Sequence, residues 1–180
     1  MRQAVAAGVD WVQLRDRALS GAAYLAWARD VVSAAHGAKI IVNRRIDVAL
    51  ALGADGIHLG FDALPPSEAL ALLPPGSPIG VSAHTPGEVR TARDAGATYA
   101  HLAPVWNPIS KASQREPLGL EGLRAACAQG LPVLAQGGVT AARCAAALAA
   151  GAAGIAVTGD ILLADAPGAA AAALRAALDE

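Results

Sequence analysis

One motif recurs four times along the chain and limits the folds open to it. Ala7-Gly8-Val9-Asp10-Trp11-Val12-Gln13-Leu14 is echoed by Leu52-Gly53-Ala54-Asp55-Gly56-Ile57-His58-Leu59. It returns as Ala95-Gly96-Ala97-Thr98-Tyr99-Ala100-His101-Leu102 and as Ala150-Gly151-Ala152-Ala153-Gly154-Ile155-Ala156-Val157. In each copy a glycine closes a helix in a left-handed conformation and an apolar run then opens a strand. The copies lie 45, 43 and 55 residues apart, which is about two βα units each. Four such quarters favour an eightfold (β/α) barrel over an open sheet.

The intervening pattern agrees. Short apolar runs at Trp11–Arg15, Lys39–Asn43, Gly56–Gly60, Ile79–Ser82, Tyr99–Ala103, Pro132–Gln136 and Gly154–Thr158 predict strands. Helical stretches at Gly21–His36, Pro66–Leu73, Pro86–Ala95, Leu120–Gln129 and Ala141–Ala150 separate them. Parallel neighbours require such crossovers. The expectation is a single domain over residues 1–180, an α/β TIM (β/α)₈ barrel lacking its usual first strand. The sequence opens inside what reads as the first helix. Either a first strand precedes it or the barrel tolerates a gap. A gap would expose backbone groups at Arg15 and Thr158, to be met by an upstream segment, a rearranged N-terminus or a second subunit in a homo-oligomer.

Composition narrows the function. Aromatic residues make up 3% of a chain that is 54% hydrophobic, so alanine, leucine and valine must fill the core, as suits helices packed closely on strands. A formal net charge of −1 with no charge run gives nucleic acid or membrane surfaces nothing to hold. Cys127 and Cys144 lack metal-ligand spacing and read as small core residues. No signal peptide or long apolar run opens the chain, so a cytoplasmic protein is expected.

In a barrel the chemistry sits at the carboxyl ends of the strands. Gln13 and Arg15 alternate with Leu14 and can both point into the mouth, toward a ligand or an internal ion pair. Asn43 ends the next strand, and Arg44 after it is a rim phosphate contact or a surface charge. His58 within an apolar strand reads as a hydrogen-bonded core histidine, and Ser82 can offer a hydroxyl to a ligand. The long loop Pro104–Lys111 places Ser110 beside Lys111, a group able to neutralise a diphosphate. The turns at Gly137-Gly138 and Thr158-Gly159 let backbone N–H groups approach an anion, the usual phosphate position in these barrels.

In order and spacing, several segments resemble the thiamine phosphate synthase and thiazole tautomerase superfamily over nearly the whole chain. They are Val12-Gln13-Leu14-Arg15, Val42-Asn43, Arg45-Ile46-Asp47, Gly53 to Gly60, Gly80-Val81-Ser82-Ala83-His84, Ala103-Pro104-Val105-Trp106, Pro117-Leu118-Gly119-Leu120-Glu121 and Gly137-Gly138. The resemblance implies an enzyme of thiamine biosynthesis that joins hydroxymethylpyrimidine diphosphate to a thiazole phosphate, with Mg²⁺ helping diphosphate to leave. It assigns Gln13, Arg15, Arg17, Asn43 and Ser82 to the pyrimidine diphosphate, Lys111 to the diphosphate and Ser110 to the thiazole phosphate. Gly137, Gly138, Thr158 and Gly159 would cradle that phosphate, with Arg15, Lys111 and Ser82 nearest the chemistry.

The chain departs from the pattern where the family carries magnesium-binding aspartates, which here are Arg44 and Ala63. Asp62 is one residue off register. Two alternatives follow. One is a thiazole tautomerase-like enzyme, although its proton-transfer histidine would fall at Pro104. The other is a non-catalytic homologue that binds phosphorylated ligands.

Overall fold

The computed structural model describes residues 1–60, 63–107 and 115–180. Seven strands form one parallel sheet in sequence order: β1 (Trp11–Leu14), β2 (Lys39–Asn43), β3 (Gly56–Leu59), β4 (Ile79–Ala83), β5 (Tyr99–Leu102), β6 (Val133–Gln136) and β7 (Gly154–Ala156). All seven were legible as apolar runs, with ends that differ by two residues at most. Each pairs in parallel with the next, through contacts such as Leu14 with Val42, Asn43 with His58, Ser82 with His101, and Gln136 with Ala156. Among the described residues no strand joins β7 to β1. The molecule is an incomplete (β/α)₈ barrel, one strand short.

Helices α1 (Arg2–Ala6), α2 (Gly21–Ala34), α3 (Ile46–Leu52), α4 (Pro66–Leu72), α5 (Pro86–Asp94), α6 (Gly119–Cys127), α7 (Ala141–Ala149), α8 (Gly159–Leu162) and α9 (Pro167–Asp179) surround the sheet. The outward strand residues divide between two cores. Val12, Leu14, Ile40 and Val42 pack with Tyr24 and Ala28 of α2 and Val48 and Ala49 of α3. Tyr24 fits there because its hydroxyl donates to the Leu14 carbonyl at 2.7 Å, satisfying the polar tip of a buried ring. Leu59, Val81, Leu102 and Val133 pack with Val89, Leu123, Cys144 and Ala147 from the later helices. Alanine on these helix faces lets helix and sheet approach closely, which explains a core so poor in aromatic rings. The four repeat glycines Gly8, Gly53, Gly96 and Gly151 all have positive φ, so each marks the turn into a strand as the sequence predicts.

The helix layer continues across the seam that the sheet leaves open. Helices α1 and α9 pack on each other, burying Ala4, Ala171 and Leu174. Arg175 on α9 reaches Asp10, just ahead of β1, at 2.9 Å. Among the described residues no helix is long and apolar enough to cross a membrane.

Candidate functional site

Strand alternation sends every second residue inward, and here that set includes polar and aromatic residues beside the aliphatic Ile41 and Leu134, where the outward set is aliphatic. Trp11 and Gln13, Asn43, His58, Ser82, Tyr99 and His101, and Gln136 line one cavity of ≈ 1720 Å³ together with the loops at the strand ends. The aromatic groups stack through the lumen. Trp11 meets Tyr99 edge-on with centroids 5.2 Å apart, Tyr99 lies 5.5 Å from His101, and His101 lies 4.3 Å from His58. This floor supports the polar mouth.

At the mouth, Gln13 Nε2 donates to Asn43 Oδ1 at 3.0 Å, so the two candidates from β1 and β2 fix each other. His58 Nε2 lies 3.0 Å from Ser82 Oγ. His58 is 2% exposed, and its Nδ1 is buried with no hydrogen-bond partner. Burial, then the neighbouring His101 and Arg15, push its pKa down to about 2, and burial alone takes His101 to about 4. Both rings are therefore neutral at ordinary pH. An orphaned buried N–H is rarer than an unmet acceptor, so the hydrogen belongs on Nε2 and is donated to Ser82 Oγ. The serine's own hydrogen is then left for a ligand. His58 is thus the hydrogen-bonded core histidine that the sequence suggests, and it also aims Ser82.

On the opposite wall Gly137 and Gly138 have φ of 88° and 62°, a pair of consecutive left-handed residues. A Cβ on Gly138 would stand 2.3 Å from the Asn107 carbonyl oxygen, and one on Gly137 would stand 2.9 Å from Pro104 Cα. Only glycines permit the turn and this close approach. Val105 N–H donates to Gln136 O at 2.9 Å and Trp106 N–H to Gly137 O at 3.0 Å, zipping the loop after β5 onto the turn. Arg143 from α7 donates to Gly138 O at 2.5 Å, and its guanidinium covers the Trp106 ring at 5.3 Å. Thr158 and Gly159 follow β7, which is paired to β6 at Gln136 and Ala156. The two turns thus leave adjacent strands spaced about 4.8 Å apart, and all four residues line the same cavity.

Arg15, Arg17, Arg44 and Arg115 also lie on its wall. The structure therefore gathers Gln13, Arg15, Arg17, Asn43, Arg44, Ser82, Gly137, Gly138, Thr158 and Gly159 around one space. Ser110 and Lys111 lie outside the described residues, as does Asp62. Sequence reasoning did not single out Arg115, Arg143 or Tyr99. Arg143 carries no local signal beyond its place in the first turn of α7, and Tyr99 would have been found by carrying the inward alternation of β5 one residue pair lower. Pro104, the position a tautomerase histidine would fill, offers no proton-transfer group, and His101 sits in the lumen against His58.

The comparisons with known proteins agree with this geometry. The family model described as thiamine monophosphate synthase matches residues 1–161. The chain is 46% identical over 177 residues to the thiamine biosynthesis bifunctional protein ThiM/ThiE of Symbiobacterium thermophilum, covering 97% of this chain and 36% of that one. It is 44% identical over 160 residues to a thiamine-phosphate synthase of Methanoculleus marisnigri, covering 87% and 75%. Among solved structures, the thiamine phosphate pyrophosphorylase from Pyrococcus furiosus superposes with a TM-score of 0.87 at 28% identity, covering 99% of this chain and 87% of that one. The chain thus spans about a third of the first relative and three quarters of the second.

Proposed function

The chain belongs to the thiamine monophosphate synthase family, and from that membership we propose that it couples hydroxymethylpyrimidine diphosphate to a thiazole phosphate. The observation that carries this is the meeting, in one cavity, of a hydrogen-bonding end and a backbone anion turn. Gln13, Asn43 and Ser82 present donors and acceptors suited to an aminopyrimidine. Gly137, Gly138, Thr158 and Gly159 offer backbone N–H groups to a phosphate monoester on the other side. A two-substrate coupling needs both ends at once.

The chemistry balances without a net proton. The C–O bond from the pyrimidine methylene to the diphosphate breaks, and its electron pair leaves with the diphosphate. The thiazole nitrogen then donates its lone pair to the methylene carbon, forming the C–N bond of a thiazolium. The protein holds the two reactants in line, keeps water from the carbocation and stabilises the departing charge. Arg15 meets that charge, the family pattern assigns Lys111 the same task, and Ser82 holds the pyrimidine.

The family pattern implies Mg²⁺ at the diphosphate, but the residues present do not fit it. A hard cation needs oxygen ligands, chiefly carboxylates, and the two positions are held by the Arg44 guanidinium and the Ala63 methyl. Among the described residues no cluster of three or more His, Cys, Asp or Glu could hold a metal.

The test is incubation with both substrates and mass-spectrometric detection of products. Thiamine phosphate and diphosphate should accumulate in equal amounts. Binding of both substrates with no coupled product would point instead to a non-catalytic ligand-binding protein.

A further inference from the structure

Glycines apart, Arg44 alone among the described residues has a positive φ, at 66°. A branched-off side chain crowds its own backbone there, and such a conformation persists only where neighbours fix it. Three bonds do so. Arg44 N–H donates to His58 O at 2.8 Å, Arg45 N–H to Asn43 O at 2.8 Å, and Ile46 N–H to Arg44 O at 3.1 Å. The chain therefore turns sharply at the top of β2, and Arg44 is held half-buried on the cavity wall beside Asn43.

That wall is cationic at its mouth. Arg15 and Arg17 follow β1, and Arg115 stands where the described chain resumes. The described acids on the same wall are Asp10 and Asp160. Asp10 lies at the other end of β1, where it pairs with Arg175 at 2.9 Å. Among the described residues the mouth thus gathers four guanidinium groups and one carboxylate, that of Asp160. Guanidinium groups gathered in this way can bond the oxygens of a polyanion.

We infer that the mouth clamps a diphosphate directly through guanidinium groups, with Arg44 as the key contact, so that diphosphate binding requires no divalent metal. This rests on the proposed function, because the diphosphate is the one the pyrimidine substrate brings and the coupling releases. Guanidinium suits the task. It stays charged at every working pH, and its planar fork can bond two phosphate oxygens at once. When the C–O bond breaks, the new negative charge appears on an oxygen that such a fork already faces. The strained turn at Arg44 places the fork at the rim of the cavity, where an exposed lysine on a flexible stem would not be fixed.

The test is titration calorimetry with inorganic pyrophosphate in EDTA and again with Mg²⁺. Pyrophosphate should bind in EDTA. Arg44→Asn should weaken that binding by about tenfold or more, the loss expected for a charge-assisted bidentate contact. Asparagine adopts positive φ readily, so this variant keeps the turn, and an unchanged thermal melt confirms it. Arg44→Lys, which retains charge without the fork, should fall between. Binding that appears only with Mg²⁺ overturns the clamp, and so does full affinity in the folded Arg44→Asn protein. The proposed function fails separately. Product formation abolished by EDTA would sink the clamp and leave the coupling standing, whereas metal-free pyrophosphate binding without any coupling would do the reverse.

Discussion

Lowering the pH from 7 to 5 should destabilise the fold through the two lumen histidines. An unfolded histidine titrates at about 6.5, whereas burial holds His58 at about 2 and His101 at about 4. At pH 5 the folded protein keeps both rings neutral while the unfolded chain protonates both. The state that binds more protons gains as pH falls, so this stability is complete above the unfolded pKa and drains away below it. One pH unit corresponds to about 1.4 kcal/mol per ring, and integration from pH 7 to 5 gives about 2 kcal/mol each and about 4 kcal/mol for the pair. That is a large share of a net stability of about 5–15 kcal/mol. Urea unfolding at pH 7, 6 and 5 measures it, and the double variant His58→Gln with His101→Gln should flatten the dependence. Equal stability at pH 5 and 7 would refute the assignment, as would ring carbons that titrate near 6.5 in the folded protein by NMR.

Three further outcomes are expected. Gly80→Ala would place a Cβ 2.1 Å from the Tyr99 ring, and should cost about 1–3 kcal/mol in chemical denaturation as that ring is displaced. Ser82→Ala removes the hydroxyl that His58 aims, and should lower coupling by about tenfold to a hundredfold, read from steady-state kinetics, if the pyrimidine bonds to it. Arg44→Asp combined with Ala63→Asp should raise Mg²⁺ affinity by calorimetry, and no gain would count against the alignment of these positions with the family's metal ligands.

The barrel was legible because its signal is local and repeated. Gly8, Gly53, Gly96 and Gly151 turn the chain in the same way, and a strand opens three residues after each. Helix α3 gave less away, since Ile-Asp-Val-Ala-Leu-Ala-Leu is short, apolar on most sides and follows Arg45, an N-cap whose side chain makes no cap bond. Asp47 sits in its first turn and pairs with Arg45 at 2.8 Å. Helix α9 hid in a run of alanines that has no polar face to set a period. At the site, positions after strand ends could be read one strand at a time. The contacts that join strands could not: His58 meets His101 across β4, and Arg143 reaches Gly138 from the following helix. Nothing in one segment encodes its neighbour in space.

A crystal structure of the protein with thiamine phosphate tests the division of the cavity most directly. The phosphate should lie on the backbone N–H groups of Gly137, Gly138 and Gly159, and the pyrimidine ring against Gln13, Asn43 and Ser82. A product bound outside this cavity, or one with its phosphate on Arg44 and its pyrimidine at Gly138, would contradict the assignment.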